Sequence, residues 1–419
     1  MTLANGWATR QVDYTNAFAQ ADIKETVFVE LPRDYAASDS GDYVLKLKKS
    51  LYGLKQAPKT FFDHLRTGLI ERGFQQSAVD PCLFMKDAML CVVYVDDTIF
   101  AGPDAAELDK MIKSLTDDHG GTKSSYELEA EGSVQDFLGI NITQVSDESF
   151  RLTQTGLIKK ILEKTGMTDA ASKTTPASTT ALGTDRDGVP FDEPWEYASV
   201  VGMLMYLGTN SRPDIAFSVN QCARHTHNPR ESHAKAVKHI CRYLKGTATR
   251  GLEFTLDGEM AIDCYVDSDF AGLWNQEDEQ DPVSTRSRTG YFLTFGGCPL
   301  LWGSRLQTET ALSTMEAEYI ALSQAMRELI PIREVVLEMQ RLVFRGQKVL
   351  ACRSHSKIFE FASSANKNET HKLPVSTVYK KDNNACLKFA TALKMSPRTK
   401  HIAVRYHFSR EKVDLLQIE

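Results

Sequence analysis

The sequence predicts three successive parts: an α+β part over residues 1–165, a helical stretch over 195–250 and an α/β part over 251–419. Three observations predict this. Apolar runs at Ala88–Val95 and Thr98–Ala101 enclose two adjacent acids, Asp96 and Asp97, the pattern of a β-hairpin with carboxylates at its tip. From Thr168 to Pro190, 12 of 23 residues are Ser, Thr, Pro or Gly, so 166–194 reads as a linker. After Gly251, three strand-like runs precede alternating helical and strand-like ones.

In order along the chain, Gln11–Asp13 ends a short strand-like run that carries a third acid, Asp13. Pro58–Gly73 places Phe61, Phe62, Leu65, Leu69 and Ile70 at helical spacing, Asp104–Asp117 offers a second helix, and Asp136–Thr143 reads as one strand. Short strands between helices suit an antiparallel sheet. Within 195–250, Asp214 and Pro229 stand near helix starts. The charged residues there, His233, Lys235, Lys238, Arg242 and Lys245, are either a solvated face or a surface for duplex backbone. The last part has strands at Ala261–Asp267, Thr289–Phe295 and Pro299–Ser304, with Gly296-Gly297 as the turn between the last two. A helix follows, and another strand is expected at Ser376–Tyr379. Phe344–Ser376 is long, polar and irregular, which reads as an insertion or a translated intron.

Composition narrows the functional classes. With 42% hydrophobic and 25% charged residues the 419-residue chain can pack a core throughout. A net charge of −6 excludes affinity that comes from overall basicity, so any hold on nucleic acid must come from a local track. The eight cysteines show no C-x-x-C pair, hence neither a metal knuckle nor a disulfide framework. No apolar run approaches the ~20 residues of a membrane span, and the chain reads as soluble and intracellular.

Two adjacent aspartates with no basic neighbour repel each other, and a divalent cation relieves that repulsion. Asp13, Asp96 and Asp97, from two strand-like runs, can hold a pair of Mg²⁺ ions roughly 3.5–4 Å apart, the arrangement used for in-line phosphoryl transfer. Mg²⁺ takes hard oxygen ligands, which carboxylates supply. Lys46, Lys48, Lys49, Lys55 and Lys59 put five ammonium groups within 14 residues. Gly53 among them permits close backbone approach, while Tyr52 and Gln56 can meet a base or sugar.

Motifs then connect the parts. Gln-Val-Asp-Tyr-Thr-Asn-Ala-Phe (11–18), Lys-Lys-Ser-Leu-Tyr-Gly-Leu-Lys-Gln-Ala-Pro (48–58), Asp-Pro-Cys-Leu-Phe (80–84) and Tyr-Val-Asp-Asp (94–97) resemble the reverse transcriptase of copia-type long-terminal-repeat retrotransposons. The stretches 197–207, 211–217 and 242–247 resemble the connecting region of that Pol polyprotein. Those at 265–272, 313–319, 382–385 and 398–402 resemble its ribonuclease H. The resemblance covers nearly the whole chain in the family's order. It implies an α+β reverse transcriptase palm, a helical connection and an α/β ribonuclease H-like domain. It further implies an RNA-directed DNA polymerase with fused ribonuclease H and two Mg²⁺ ions per active site. The implied partners are an RNA template, a DNA primer, deoxynucleoside triphosphates, the RNA–DNA hybrid and other segments of the polyprotein.

The resemblance also implies roles for single residues. Phe18, five residues after Asp13, stands where such polymerases place a ring beneath the sugar; core packing is the alternative. The lysine track, with Tyr52, Gly53, Lys55 and Gln56, falls inside a family signature, which favours template or nucleotide contact over a solvated face. By family position Asp267 is the first ligand of a second metal site, with Asp269 a weaker candidate. Ser313-x-x-Glu316 has the spacing of a capping box, whereas Glu318 lies about 200° round the helix, and Glu318 is the expected ligand. Asp382 closes the set, unless it is an ordinary N-cap. Ala403 stands where related chains often carry an acid, leaving His401 as the only nearby substitute, so hydrolysis is expected to be weakened or lost. The chain begins almost at the first catalytic strand, which reads as a fragment without fingers, protease or integrase. The alternative function is a non-catalytic remnant that keeps the fold and weak nucleic-acid binding.

Overall fold

A computed structural model of the chain describes residues 2–31, 43–118, 121, 123–146, 148–255, 261–274 and 281–343, together with the backbone of 377–380. It has two compact units, residues 1–134 with 334–347, and residues 135–333 with 348–419.

In the first unit a short helix α1 (Thr2–Asn5) leads into β1 (Ala8–Tyr14), α2 (Ala17–Gln20) and a two-stranded sheet of β2 (Phe28–Glu30) and β3 (Val44–Lys46). Helix α3 (Ala57–Glu71), strands β4 (Gln75–Gln76), β5 (Leu83–Lys86), β6 (Met89–Tyr94) and β7 (Asp97–Gly102), helix α4 (Ala105–Leu115) and β8 (Leu128–Gly132) follow. Six of the strands form one antiparallel sheet in the order β4-β5-β6-β7-β1-β8. Period-two alternation decides its faces. Val12, Tyr14, Phe84, Cys91, Val93 and Phe100 turn into the core, where α3 supplies Phe61, Leu65 and Leu69 and α4 supplies Leu108, Met111, Ile112 and Leu115. Each fully buried Phe or Leu contributes roughly 1.5–3 kcal/mol.

Local chemistry sets the helix ends. Asp104 caps α4 by accepting from the amides of Ala106 and Glu107. Gly68 leaves room for Tyr126, whose hydroxyl donates to the His64 carbonyl at 2.9 Å. The buried Arg72 side chain donates to the carbonyls of Gly68, Ser114, Asp117 and Ser124 and so ties the ends of α3 and α4 together.

The second unit begins with β9 (Asp136–Phe137), β10 (Ile140–Ser146) and β11 (Ser149–Thr153), then α5 (Thr155–Lys164), α6 (Tyr197–Asn210), α7 (Ala216–Ala223) and α8 (Glu231–Gly246). The single strand expected at Asp136–Thr143 is instead a hairpin. Leu138 and Gly139 both take positive φ, at 53° and 71°, and fold Phe137 back against Ile140. Strand β12 (Leu252–Thr255) pairs with β11 and completes a sheet ordered β12-β11-β10-β9. The four helices enclose their own core of Ile158, Ile161, Trp195, Val200, Leu204, Val237 and Ile240 among others.

Arg212 closes that helical cluster. It is 1% exposed, and its guanidinium donates to Asp214 (2.9 and 2.8 Å), to the Thr247 carbonyl (2.9 Å) and to the Thr247 hydroxyl (2.7 Å). Tyr243 lies beneath it and donates to Asp214 at 2.7 Å. The stretches 211–217 and 242–247 are therefore two halves of one buried clamp.

The remaining strands are β13 (Ile262–Ser268), β14 (Arg288–Phe295) and β15 (Cys298–Leu306), followed by the 29-residue α9 (Thr314–Leu342) and β16 (Thr377–Lys380). Gly296 and Gly297, at φ 58° and 79°, make the two-residue turn between β14 and β15. The sheet runs β15-β14-β13-β16, antiparallel except where β16 joins β13 in parallel. The end of α9 counts with the first unit. There Glu338, 8% exposed, accepts from the Ser77 hydroxyl and from the Ala78 amide.

Candidate active site

In the first unit, the hairpin β6–β7 closes on the pair Tyr94↔Asp97, leaving Val95 and Asp96 as its two turn residues. Val95 has φ 59°. A β-branched residue in the left-handed region is strained, a cost of order 1–3 kcal/mol that the surrounding sheet must over-determine. The turn holds Asp96 and Asp97 half-buried at the sheet's end.

Register brings the third acid alongside. Strand β1 pairs with β7 through Val12↔Thr98, and one further step places Asp13 opposite Asp97. On its other side Asp13 pairs directly with Glu129 of β8. Tyr94, Asp97, Asp13 and Glu129 thus form a line across four antiparallel strands, on the face away from the core. Like charges directly opposed on a sheet are destabilising, and a cation between them removes the cost. Among the described residues neither Asp13 nor Asp96 has a basic partner at ion-pairing distance. Among those residues, too, no three His, Cys, Asp or Glu side chains converge closely enough to hold an ion as they stand. Glu129 is the residue that sequence reasoning missed. Nothing local marks it, because its place beside Asp13 comes from pairing across more than a hundred residues.

Phe18 is 8% exposed and packs in the core, its ring centroid 6.3 Å from Phe61 and 4.4 Å from Tyr52. Tyr52 is half exposed. Burial, then the carboxylates of Asp96 and Asp13, push its phenol above the usual range, while the nearby backbone of Ala17 and Phe18 acts the other way. Gly53 has φ +95°, a conformation costly for other residues. Gln56 precedes the first turn of α3, where its carbonyl accepts from the Thr60 hydroxyl at 3.0 Å. Of the five lysines, Lys49 pairs with Asp22 and Lys59 with Asp63, both at 2.7 Å, whereas Lys46, Lys48 and Lys55 are exposed.

In the second unit Asp267 is exposed near the end of β13, opposite Gly290, and shares a face with Asp263 and Tyr265. A cavity of about 400 Å³ opens there, walled by Phe217, Tyr265, Phe292 and Trp302. Asp269 accepts from the Arg288 amide and so braces the start of β14. Glu316 accepts from the Leu312 amide (2.8 Å) while its own amide donates to the Ser313 hydroxyl (3.2 Å). Glu318, two residues on, is 6% exposed. Asp382, His401 and Ala403 lie outside the described residues.

The charges on α8 serve a third purpose besides the two expected. They fasten the 166–194 segment. Arg242 donates to the Ala171 carbonyl (2.7 Å), Lys238 pairs with Glu193 (2.6 Å), and His239 and His233 meet the carbonyls of Thr175 and Gly183. Lys235 pairs with Glu231 on its own helix.

Residues 1–179 match the family described as reverse transcriptase (RNA-dependent DNA polymerase). The chain is 31% identical over 411 residues to the retrovirus-related Pol polyprotein from transposon RE1 of Arabidopsis thaliana, covering 97% of this chain and 25% of that protein. It is 31% identical over 416 residues to the corresponding polyprotein from transposon TNT 1-94 of Nicotiana tabacum, covering 96% and 28%. An uncharacterized mitochondrial protein of Arabidopsis thaliana, AtMg00810, is 32% identical over 242 residues, 58% of this chain and 93% of that one. The chain thus spans about a quarter of the length of the Pol polyproteins it matches.

Proposed function

Because the chain belongs to the Pol polyproteins of copia-type retrotransposons, with residues 1–179 in their reverse transcriptase family, we propose that it is an RNA-directed DNA polymerase segment that acts through Asp13, Asp96 and Asp97. The reading is supported above all by the line Asp97–Asp13–Glu129, where opposed carboxylates stand on the open face of the sheet. The donor set fits the implied metal, since it offers hard oxygens only. Asp13, Asp96 and Asp97 would hold two Mg²⁺ ions, which when bound supply an acidified primer 3′-hydroxyl and charge to match the triphosphate.

The chain's own residues do the rest. Tyr52, half exposed and packed on the buried Phe18, offers an aromatic ring suited to a sugar or base. Lys46, Lys48 and Lys55 offer exposed ammonium groups to phosphates of the template or nucleotide. Gly53, at φ 95°, supplies the left-handed residue of the turn that Leu54 closes by donating to the Leu51 carbonyl at 3.2 Å.

A ribonuclease H activity on the RNA–DNA hybrid is the second part of the proposal, with Asp267, Glu318 and Asp382 as ligands. It is supported by the capping role of Glu316, which leaves Glu318 as the other acid of that helix turn. Partners would be the RNA template, DNA primer, deoxynucleoside triphosphates and the other Pol segments. No helix among the described residues is long and apolar enough to cross a membrane.

The test is Mg²⁺-dependent extension of a DNA primer on an RNA template. Asp97→Asn should abolish extension and leave primer–template binding within about twofold, because lost charge at the reacting phosphate costs several kcal/mol in the transition state only. Extension that survives in Asp97→Asn would sink the assignment.

A further inference from the structure

Two rows of side chains lie next to each other on one face of the second unit's last sheet. One row reads Tyr265, Phe292 and Trp302 across β13, β14 and β15, and the next reads Asp267, Gly290 and Ser304. Gly290 leaves a hollow beside the aromatic row, since a Cβ there would meet nothing nearer than the Asp267 carbonyl at 4.0 Å. The rings form a continuous floor, with centroids 6.5 Å apart from Tyr265 to Phe292 and 6.3 Å from Phe292 to Trp302. Trp302 is 8% exposed and its Nε1 donates to the Gly208 carbonyl at 2.7 Å, which fixes that end.

Phe217, in the first turn of α7, walls the hollow from outside the sheet and is 47% exposed. The Arg288 guanidinium lies over its ring, 5.1 Å from the centroid, and is itself anchored by donating to Asn220 at 2.6 Å. Arg288 does not line the recess. A ring braced in this way and still open to solvent loses little freedom when a ligand stacks on it. The recess, about 400 Å³, has the size and the aromatic lining of a ligand pocket. Asp267 is the one charged residue among the described residues of its lining, and a carboxylate repels phosphate. The ligand that fits is flat and uncharged, and in a nucleic acid that part is the base.

We propose that this recess takes an unpaired nucleobase, stacked on Phe217, from a single strand whose phosphates stay outside in solvent. Every base has a π-face, so strands are accepted with little regard to sequence. Stacking needs no metal ion, so the recess works whether or not Asp267 is a ribonuclease H ligand.

The test uses the full 419-residue chain and an RNA octamer with 2-aminopurine at its centre, a base whose emission is quenched when it stacks. Titration is done in EDTA at about 0.3 M salt, which weakens contacts to phosphate and spares stacking. The parent should quench the octamer saturably. Phe217→Ala and Phe217→Leu should each weaken this binding roughly fivefold or more, and Phe217→Trp should keep it within about twofold. Leucine keeps the apolar bulk and has no π-face, while the tryptophan variant shows that the position tolerates change. Parent-like quenching in Phe217→Ala, or no quenching by the parent, would overturn the site. Loss in Phe217→Ala with full binding in Phe217→Leu would also overturn it, by showing a plain apolar contact that suits a side chain of a partner protein. A parent that quenches the octamer and fails to cleave an RNA–DNA hybrid in Mg²⁺ would defeat the ribonuclease reading and leave the base recess standing.

Discussion

Acid should loosen the helical cluster of the second unit through one histidine pair. His225 and His233 stack with centroids 3.9 Å apart and planes 6° from parallel. The Arg230 amide donates to His233 Nδ1 at 2.9 Å, so in the neutral ring the proton sits on Nε2 and points to the Gly183 carbonyl. Burial, then the neighbouring His233 and Arg224, hold His225 down from 6.5 to about 4. Burial lowers His233 as well. Above pH 6.5 both states of His225 are neutral and the pair has no effect on the pH dependence. Between pH 6.5 and 4 the unfolded chain takes up a proton that the folded chain refuses, so stability falls as pH falls. At about 1.36 kcal/mol per pH unit, the loss from His225 alone reaches roughly 3 kcal/mol by pH 4. Urea unfolding of the parent and of His225→Phe, at intervals from pH 7.5 to 4, measures this. The phenyl ring keeps the burial and the stacking and cannot titrate. His225→Phe should match the parent within about 1 kcal/mol at pH 7.5 and be the more stable protein at pH 4.5. Proton NMR of the His225 ring should show a midpoint far below 6.5. Parallel stability curves for the two proteins would refute the reasoning.

Other outcomes follow from the same geometry. Arg212→Met should lower stability by about 3 kcal/mol in a thermal melt, because it leaves the Asp214 carboxylate with Tyr243 as its remaining side-chain donor and takes the guanidinium from the Thr247 carbonyl and hydroxyl. Glu316→Gln should weaken the start of α9 by on the order of 1 kcal/mol and spare hybrid cleavage. Glu318→Gln should do the reverse, and equal loss of cleavage in both would leave the choice of ligand without support. Val95→Gly should raise stability by up to about 1 kcal/mol, since relief of left-handed strain outweighs the entropy glycine adds to the unfolded chain; a lower melting temperature would contradict that.

Much of this protein was readable from local pattern. The hairpin around Asp96-Asp97, the helices at 57–71 and 105–115, the strands at 262–268, 288–295 and 298–306 and the Gly296-Gly297 turn all announce themselves through periodicity and turn chemistry. So does the cap at Glu316, because a capping box spans four residues. The family was readable as well, since its motifs are short and contiguous. Local pattern failed at Asp136–Thr143, where Leu138 enters a left-handed turn that composition does not advertise.

Tertiary structure alone decided which of these pieces meet. The pairing of β11 with β12 joins residues about a hundred apart, and Glu129 stands beside Asp13 only because β8 takes the edge next to β1. The basic residues of α8 could not be told from a solvated face until the linker lay on them. Phe18 and Tyr52 are likewise separate signals in the sequence and one tilted ring pair in the fold. Side-chain period tells which way a residue points relative to its own strand or helix. It carries no record of the neighbour it points at, because that neighbour is chosen by packing and register across the whole sheet.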